Sequence, residues 1–276
     1  MLKGVNQWCF PEGTPLDKLF AVSSEAGFDA VELNLYAPGG VGLSQDMSAA
    51  EVEAIGRLAR SYGIGLHSLS TALLWGVPFS SPDAEIRAAG RASVEKQMEI
   101  AELLGIDTVL TVPGVVSTEV AYDVCYERSQ NEYRQLAEIA VKRSVHIGIE
   151  NVWNKFLLSP LEMARYVDEL ACPNIGVYFD VGNVLQSGFP EQWIRILGSR
   201  IKKVHVKDYR PAVGTGHGFV PLLSGGVDWP TVRTALDDIG YSGPLTAELD
   251  PYPVDPYQAV YDAGRHLDLI LGKPAH

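Results

Sequence analysis

NIGVYFDVGNV, residues 174–184, reads as a buried strand that runs straight into a carboxylate. Val177, Tyr178 and Phe179 supply the apolar run, Asp180 ends it, and Gly182 and Asn183 turn the chain. Burying a carboxylate costs several kcal/mol unless something pairs with it. Either Asp180 caps the turn that follows, or it stands at the mouth of the strand and holds a ligand. The choice depends on the sheet to which the strand belongs.

Working outward, the same signature recurs. A helical pattern ends, a short turn follows, and four to six mostly β-branched residues appear: AVELNL, IGLHSL, DTVLTV, HIGIEN, NIGVYFD, KKVHVKD and PLTAELD. With KGVNQWC at the start these make eight expected strands. The segments between them carry helical periodicity. SAAEVEAIGRLARSYG puts Val52, Ile55, Leu58 and Ala59 on one face behind Ser48 as N-cap, and SPLEMARYVDEL opens with Ser159 ahead of Pro160, a cap followed by proline at the first helical position. Strands alternating with helices imply parallel βαβ units, and eight of them in 276 residues fit a closed α/β (β/α)8 TIM barrel, a single domain over 1–276. No GxGxxG follows the first strand, which argues against a dinucleotide-binding Rossmann domain.

Composition narrows the function. A 46% hydrophobic chain with 20% charged residues suits a large core. No apolar run reaches the ~18 residues of a membrane span, and MLKGVNQWCFPEG does not resemble a signal peptide. Three scattered cysteines, none in CxxC spacing, suit reduced thiols and a cytoplasmic location. A formal charge of −12 disfavours nucleic acid as a partner. The expected partner is a small molecule, with a homo-oligomer left open.

A TIM barrel works at the carboxyl ends of its strands. There the sequence offers Trp8 and Cys9, Glu32 and Asn34, His67, Glu150 and Asn151, Asp180, then His205, Lys207 and Asp208, and finally Glu248 and Asp250. Any one of the carboxylates alone could equally be a helix cap. The set weighs more. Strands five to eight are neighbours, and each ends in a metal-competent group: Glu150, Asp180, His205, Glu248. Three crowded carboxylates would repel one another unless protonated, and a divalent cation removes that problem. Oxygen donors plus one imidazole suit a hard or borderline ion with open positions, manganese first and magnesium, cobalt or zinc after it.

GIENV, YFDVGNV, VHVKD and GPLTAEL, in this order, resemble the sugar isomerase/epimerase superfamily built on the xylose-isomerase-like barrel. The similarity spans nearly the whole chain and is greatest to ketose 3-epimerases and, in the spacing around Asp180, to pentulose 5-phosphate 3-epimerases. It implies that Glu150, Asp180, His205 and Glu248 bind one metal, and that Glu150 and Glu248 are also the catalytic acid/base pair. It further implies a reaction on a sugar or sugar phosphate that removes a proton α to a carbonyl through a metal-stabilised enediolate, namely ketose 3-epimerisation. An aldose–ketose or hydroxypyruvate-type isomerase and a non-catalytic sugar-binding barrel are the alternatives. An apurinic-site endonuclease shares the barrel, but His146, His266 and His276 fit no cluster position and the charge opposes DNA.

For substrate binding the expected residues are His67, Asn183, Lys207, Arg210 and Trp75. His67 and Asn183 would meet hydroxyls, and Asn183 departs from the histidine common in free-ketose epimerases. Phe156 stands where those enzymes tend to place a substrate-binding acid. Lys207 and Arg210, with LLSGGVDW, would hold a phosphate, although TALLWGVPFSSPD lacks the basic residues of phosphopentulose relatives. Trp8, Trp75 and Phe79 would wall the sugar.

Overall fold

The computed structural model describes residues 1–273; His276 lies outside them. Eight parallel strands form the barrel: β1 Leu2–Asn6, β2 Ala30–Tyr36, β3 Gly65–Ser70, β4 Thr108–Thr111, β5 His146–Glu150, β6 Ile175–Asp180, β7 Ile201–Val206 and β8 Pro244–Ala247. Each pairs with its successor, and the circle closes because β1 pairs with β8 (Leu2 with Pro244) and with β2 (Gly4 with Ala30). The eight strands expected from the sequence are the eight of the barrel. β1 is shorter than KGVNQWC because the side chain of Asn6 accepts the Trp8 amide (2.7 Å) and turns the backbone into a 3-10 helix, Gln7–Cys9.

Eight principal helices surround the strands: α1 Leu16–Glu25, α2 Ala49–Ser61, α3 Ala84–Leu104, α4 Tyr122–Arg143, α5 Pro160–Asp168, α6 Pro190–Leu197, α7 Trp229–Asp238 and α8 Gln258–Leu271. Local sequence fixes their ends. Ser48 and Glu51 form a reciprocal capping box on α2, and Ser159 accepts the Glu162 amide ahead of Pro160 on α5. On α2, Val52, Ile55 and Ala59 are buried while Leu58 is only partly so. Burying each of the larger two stabilises the packing by roughly 1.5–3 kcal/mol. No helix among the described residues is long and apolar enough to cross a membrane.

The interior of the barrel is unusually polar towards its carboxyl end. Asn6, Glu32, Asn34, Ser68, Ser70, Asp180 and His205 are all at most 1% exposed. Room for the Tyr178 ring, also fully buried, comes from Gly148 on the adjacent strand, where a Cβ would stand 3.0 Å from Cβ of Tyr178. The register sets Asp180 beside His205 and Glu150 beside Tyr178. After β7 the chain makes an excursion in which Asp208–Tyr209 pairs antiparallel with Phe219–Val220.

Candidate metal centre and active site

Glu150 and Asp180 are the last residues of β5 and β6, His205 is next to last on β7, and Glu248 follows β8 directly. Strands ending at one rim deliver them to one place: each offers a ligand atom within 4.8 Å of all the others. Nδ1 of His205 lies 3.4 Å from Oε2 of Glu248 and 3.9 Å from Oε1 of Glu150. That nitrogen is buried with no hydrogen-bond partner. Orphaned buried polar atoms are costly. His205 Nδ1, aimed into a nest of carboxylates, is what a cation would satisfy, so the donor set fits a divalent metal.

Asp180 is the cap its sequence allowed, and it also stands at the mouth of the strand. Its Oδ1 accepts the Asn183 amide (2.7 Å) and caps the short helix Val181–Val184, while its Oδ2 faces the centre. Asn151 braces this arrangement, accepting the Asp180 amide and donating to the Asp180 carbonyl, both at 2.8 Å. Lys207 supplies the nearest positive charge, its Nζ 3.1 Å from Asp180 Oδ2 and bonded to Glu248.

These neighbours make the three carboxylates unlike. Burial pushes Asp180 up to about 7 against the pull of Lys207, and burial also raises Glu150, with the Glu248 charge adding to it. Burial would raise Glu248 too, but Lys207 and His205 hold it well below the usual carboxylate range. His205 is desolvated, yet Glu32 and Glu248 raise it well above an ordinary imidazole.

Gly182 allows the close approach on which this depends. A Cβ there would stand 2.5 Å from Cγ and 2.7 Å from the carbonyl oxygen of Lys207. Gly182→Ala should therefore cost about 1–3 kcal/mol of unfolding free energy, the range for overpacking. Urea unfolding at unchanged slope would measure it. Wild-type stability would show that the Lys207 backbone yields without cost.

A cavity of about 510 Å³ opens beside Glu248 and Lys207, with Trp8, Phe219, Tyr252 and His266 among its walls. The Lys207 ammonium lies over the Phe219 ring (5.1 Å), and Phe219 packs in turn on Trp153 and Tyr209. Phe219 drew no attention in the sequence, because its place is set by the hairpin.

Several expected substrate residues lie elsewhere. His67 is a correction: β3 runs on for three residues beyond it, and its charged neighbours are Lys203, Asp107 and Asp29, at the amino ends of the strands. Arg210 is not brought to the cavity either. It is exposed, donates from Nε to the Ser224 carbonyl (3.1 Å), and is not part of the cavity wall. The Ser224–Gly226 turn is pinned to buried Asp208, which accepts from the Tyr209 and Val227 amides and the Trp229 indole, and Gly225 leaves room for that carboxylate. Asn183 is at the right end of the barrel, but it donates to the Asn151 carbonyl (3.0 Å) and lines a neighbouring groove. Trp75 is 46% exposed on the short helix Leu73–Gly76 and outside the cavity wall. Phe79 packs edge-on against Tyr133 in the core, and Phe156 is buried among Tyr122, Tyr126 and Tyr166. Trp8 does line the cavity.

The family model described as xylose isomerase-like TIM barrel matches residues 20–268. The chain belongs to that family. Among its curated relatives, SgbU of Escherichia coli (strain K12), provisionally named an L-ribulose-5-phosphate 3-epimerase, is 28% identical over 83% of this chain and 81% of its own. L-ribulose-5-phosphate 3-epimerase UlaE of Escherichia coli (strain SMS-3-5 / SECEC) is 26% identical over 89% of this chain and 86% of its own. Of the solved structures, a D-psicose 3-epimerase in the presence of D-fructose superposes with a TM-score of 0.79 at 21% identity, covering 99% of this chain and 100% of that one. These relatives are epimerases, enzymes of the isomerase class, and the structural match shares the fold of this chain.

Proposed function

We propose that this protein is a ketose 3-epimerase that depends on one divalent metal ion. The observation that carries this reading is the convergence of Glu150, Asp180, His205 and Glu248 within 4.8 Å beside a cavity of about 510 Å³. The 3-epimerase names of the relatives in the same family support it. Glu150, Asp180, His205 and Glu248 would hold the ion, and manganese suits three oxygen donors and one imidazole. When bound, it would supply Lewis-acid stabilisation of negative charge developing on the substrate's oxygens.

The chain's own residues account for the proton. Inverting a carbon next to a ketone needs a base on one face and an acid on the other. Glu150 and Glu248 come from strands separated by two others, and both stand within 4 Å of His205 Nδ1. One removes the proton from C3, and the other returns a proton to the opposite face. Lys207 keeps Glu248 anionic and, with its ammonium beside the cavity, can donate to a substrate hydroxyl. Trp8 and Phe219 give the same space apolar walls.

The reading favours a free ketose over its phosphate. A phosphate needs charge-assisted donors. Lys207 is already paired with two carboxylates, and Arg210 is bound to backbone away from the cavity. The other cavity group able to carry positive charge is His266, which burial biases towards neutrality. L-Ribulose should show the higher kcat/KM when compared with L-ribulose 5-phosphate in one assay; the opposite order would show that the phosphate is bound by residues outside this cavity.

The deciding experiment incubates manganese-loaded enzyme with ketopentoses and ketohexoses in D₂O and locates deuterium by NMR. Deuterium at C3 with inverted configuration is expected. Deuterium at C1 or C2 would identify an aldose–ketose isomerase, and no exchange with the metal present would identify a binding protein.

A further inference from the structure

Glu32 is a buried carboxylate that the proposed reaction does not use. It is 1% exposed in the middle of the barrel, below the four converging residues, and every neighbour it touches is a donor or can act as one. Its Oε1 lies 2.6 Å from the Asn6 amide nitrogen and 2.5 Å from His205 Nε2, and its Oε2 accepts the Tyr178 hydroxyl.

The direction of these bonds can be traced. The Trp8 backbone N–H donates to Asn6 Oδ1 (2.7 Å), which fixes that oxygen as the acceptor end of the amide. Asn6 Nδ2 is then the donor end, and it reaches Glu32 as well as Ser70 Oγ (2.9 Å). Ser70 donates onward to Asn34 Oδ1 (2.6 Å). With Asn6 and Tyr178 both donating, Glu32 is the acceptor and His205 must present Nε2–H to it. With Nε2–H committed to Glu32, Nδ1 is the nitrogen left to give up its proton to a cation, and this is the buried, unpartnered atom that faces Glu150 and Glu248. The Tyr178 ring, 4.5 Å from the imidazole between centroids, closes one side of it.

We propose that Glu32 is a positioning residue that sets the tautomer and the aim of His205, with Asn6 and Tyr178 holding Glu32 in place. This rests on the reading that His205 helps to hold a cation. A metal-ligating histidine needs its free nitrogen deprotonated and fixed in direction, and a carboxylate on the far nitrogen does both. The arrangement spans five strands: Asn6 from β1, Glu32 from β2, Ser70 from β3, Tyr178 from β6 and His205 from β7. The aim of the ligand is therefore tied to correct closure of the barrel.

The test uses metal-free full-length protein and Mn²⁺ alone, without substrate. Calorimetric titration of Glu32→Gln should show a 10–100-fold loss of affinity, the usual effect of removing such a partner. Spectra correlating ring protons with ring nitrogens, taken at a pH above the titration of the ring, should show His205 protonated at Nε2 in the wild type. In Glu32→Gln, whose amide can donate to Nε2, the proton should move wholly or partly to Nδ1. Tyr178→Phe removes one hydroxyl and keeps the ring; it should lose less affinity in the same direction and keep Nε2–H, which provides a reading even if Glu32→Gln folds poorly. A merely structural Glu32 would lower the melting temperature and leave tautomer and affinity alone, overturning the proposal, as would a neutral wild-type His205 protonated at Nδ1 alone. Wild-type protein that binds no Mn²⁺ would overturn the metal centre together with this inference, whereas equal binding by wild type and Glu32→Gln would overturn this inference alone.

Discussion

Replacing Glu150 or Glu248 by Gln should each slow C3 proton exchange by at least the ~10²–10⁴-fold typical of general acid–base residues, about 2.7–5.5 kcal/mol of barrel-borne catalysis. Gln keeps the shape and one oxygen while removing the basic site. The two variants should differ in metal binding. Glu248 bonds Lys207 as well as facing His205, so Glu248→Gln leaves an under-compensated ammonium next to the cation position. Glu150 has no such lysine contact among the ion pairs of the described residues. Glu248→Gln should therefore need more Mn²⁺ for saturation than Glu150→Gln. Exchange measured at saturating metal, with metal content determined on the same samples, separates the two effects. Near-wild-type exchange in either saturated variant would remove that residue from the acid/base pair.

The barrel and the converging residues were legible in the sequence for the same reason. Each strand is a short β-branched run ending in a polar residue, and in a parallel barrel all such ends meet at one rim. Glu150, Asp180, His205 and Glu248 announce themselves as charges directly at or beside those ends. His67 was misread by the same logic. It is the first polar side chain of its strand and so looked like an end, but Ser68, Leu69 and Ser70 continue the pairing with β2. Glu32 and Asn34 stood out as polar strand residues, yet the partner of each depends on register, and the register slips between Val31 and Glu32 against β3 and between Val177 and Tyr178 against β7. No periodicity reveals those shifts. Arg210 is close to Lys207 in sequence but does not follow it to the cavity wall. The hairpin at Asp208–Val220 and the anchoring of Gly225 on Asp208 carry it out to solvent.

Stripping the protein with a chelator should abolish exchange, and returning Mn²⁺ should restore it and raise the melting temperature. At a free metal concentration of 100 times Kd the stabilisation is about 2.7 kcal/mol, or roughly 5–10 °C for a chain near this size. The physical source is the crowding of Glu150, Asp180 and Glu248, which in the metal-free protein is relieved chiefly by Lys207 and His205. A divalent ion balances two of those charges directly. Two substitutions should then move the thermal gain in opposite directions. His205→Asn removes a donor and should shrink it towards zero. Lys207→Met removes the resident positive charge and leaves Asp180 and Glu248 facing each other, a change of the kind that costs about 3–5 kcal/mol when a buried pair is broken. That variant should melt lower without metal and gain more from Mn²⁺ than the wild type does. Differential scanning calorimetry with and without Mn²⁺ on the three proteins checks both signs. A wild-type melting temperature indifferent to Mn²⁺, or a gain that survives intact in His205→Asn, would mean that these side chains do not hold the ion, and that Lys207 alone is the counter-charge for which the carboxylates were assembled.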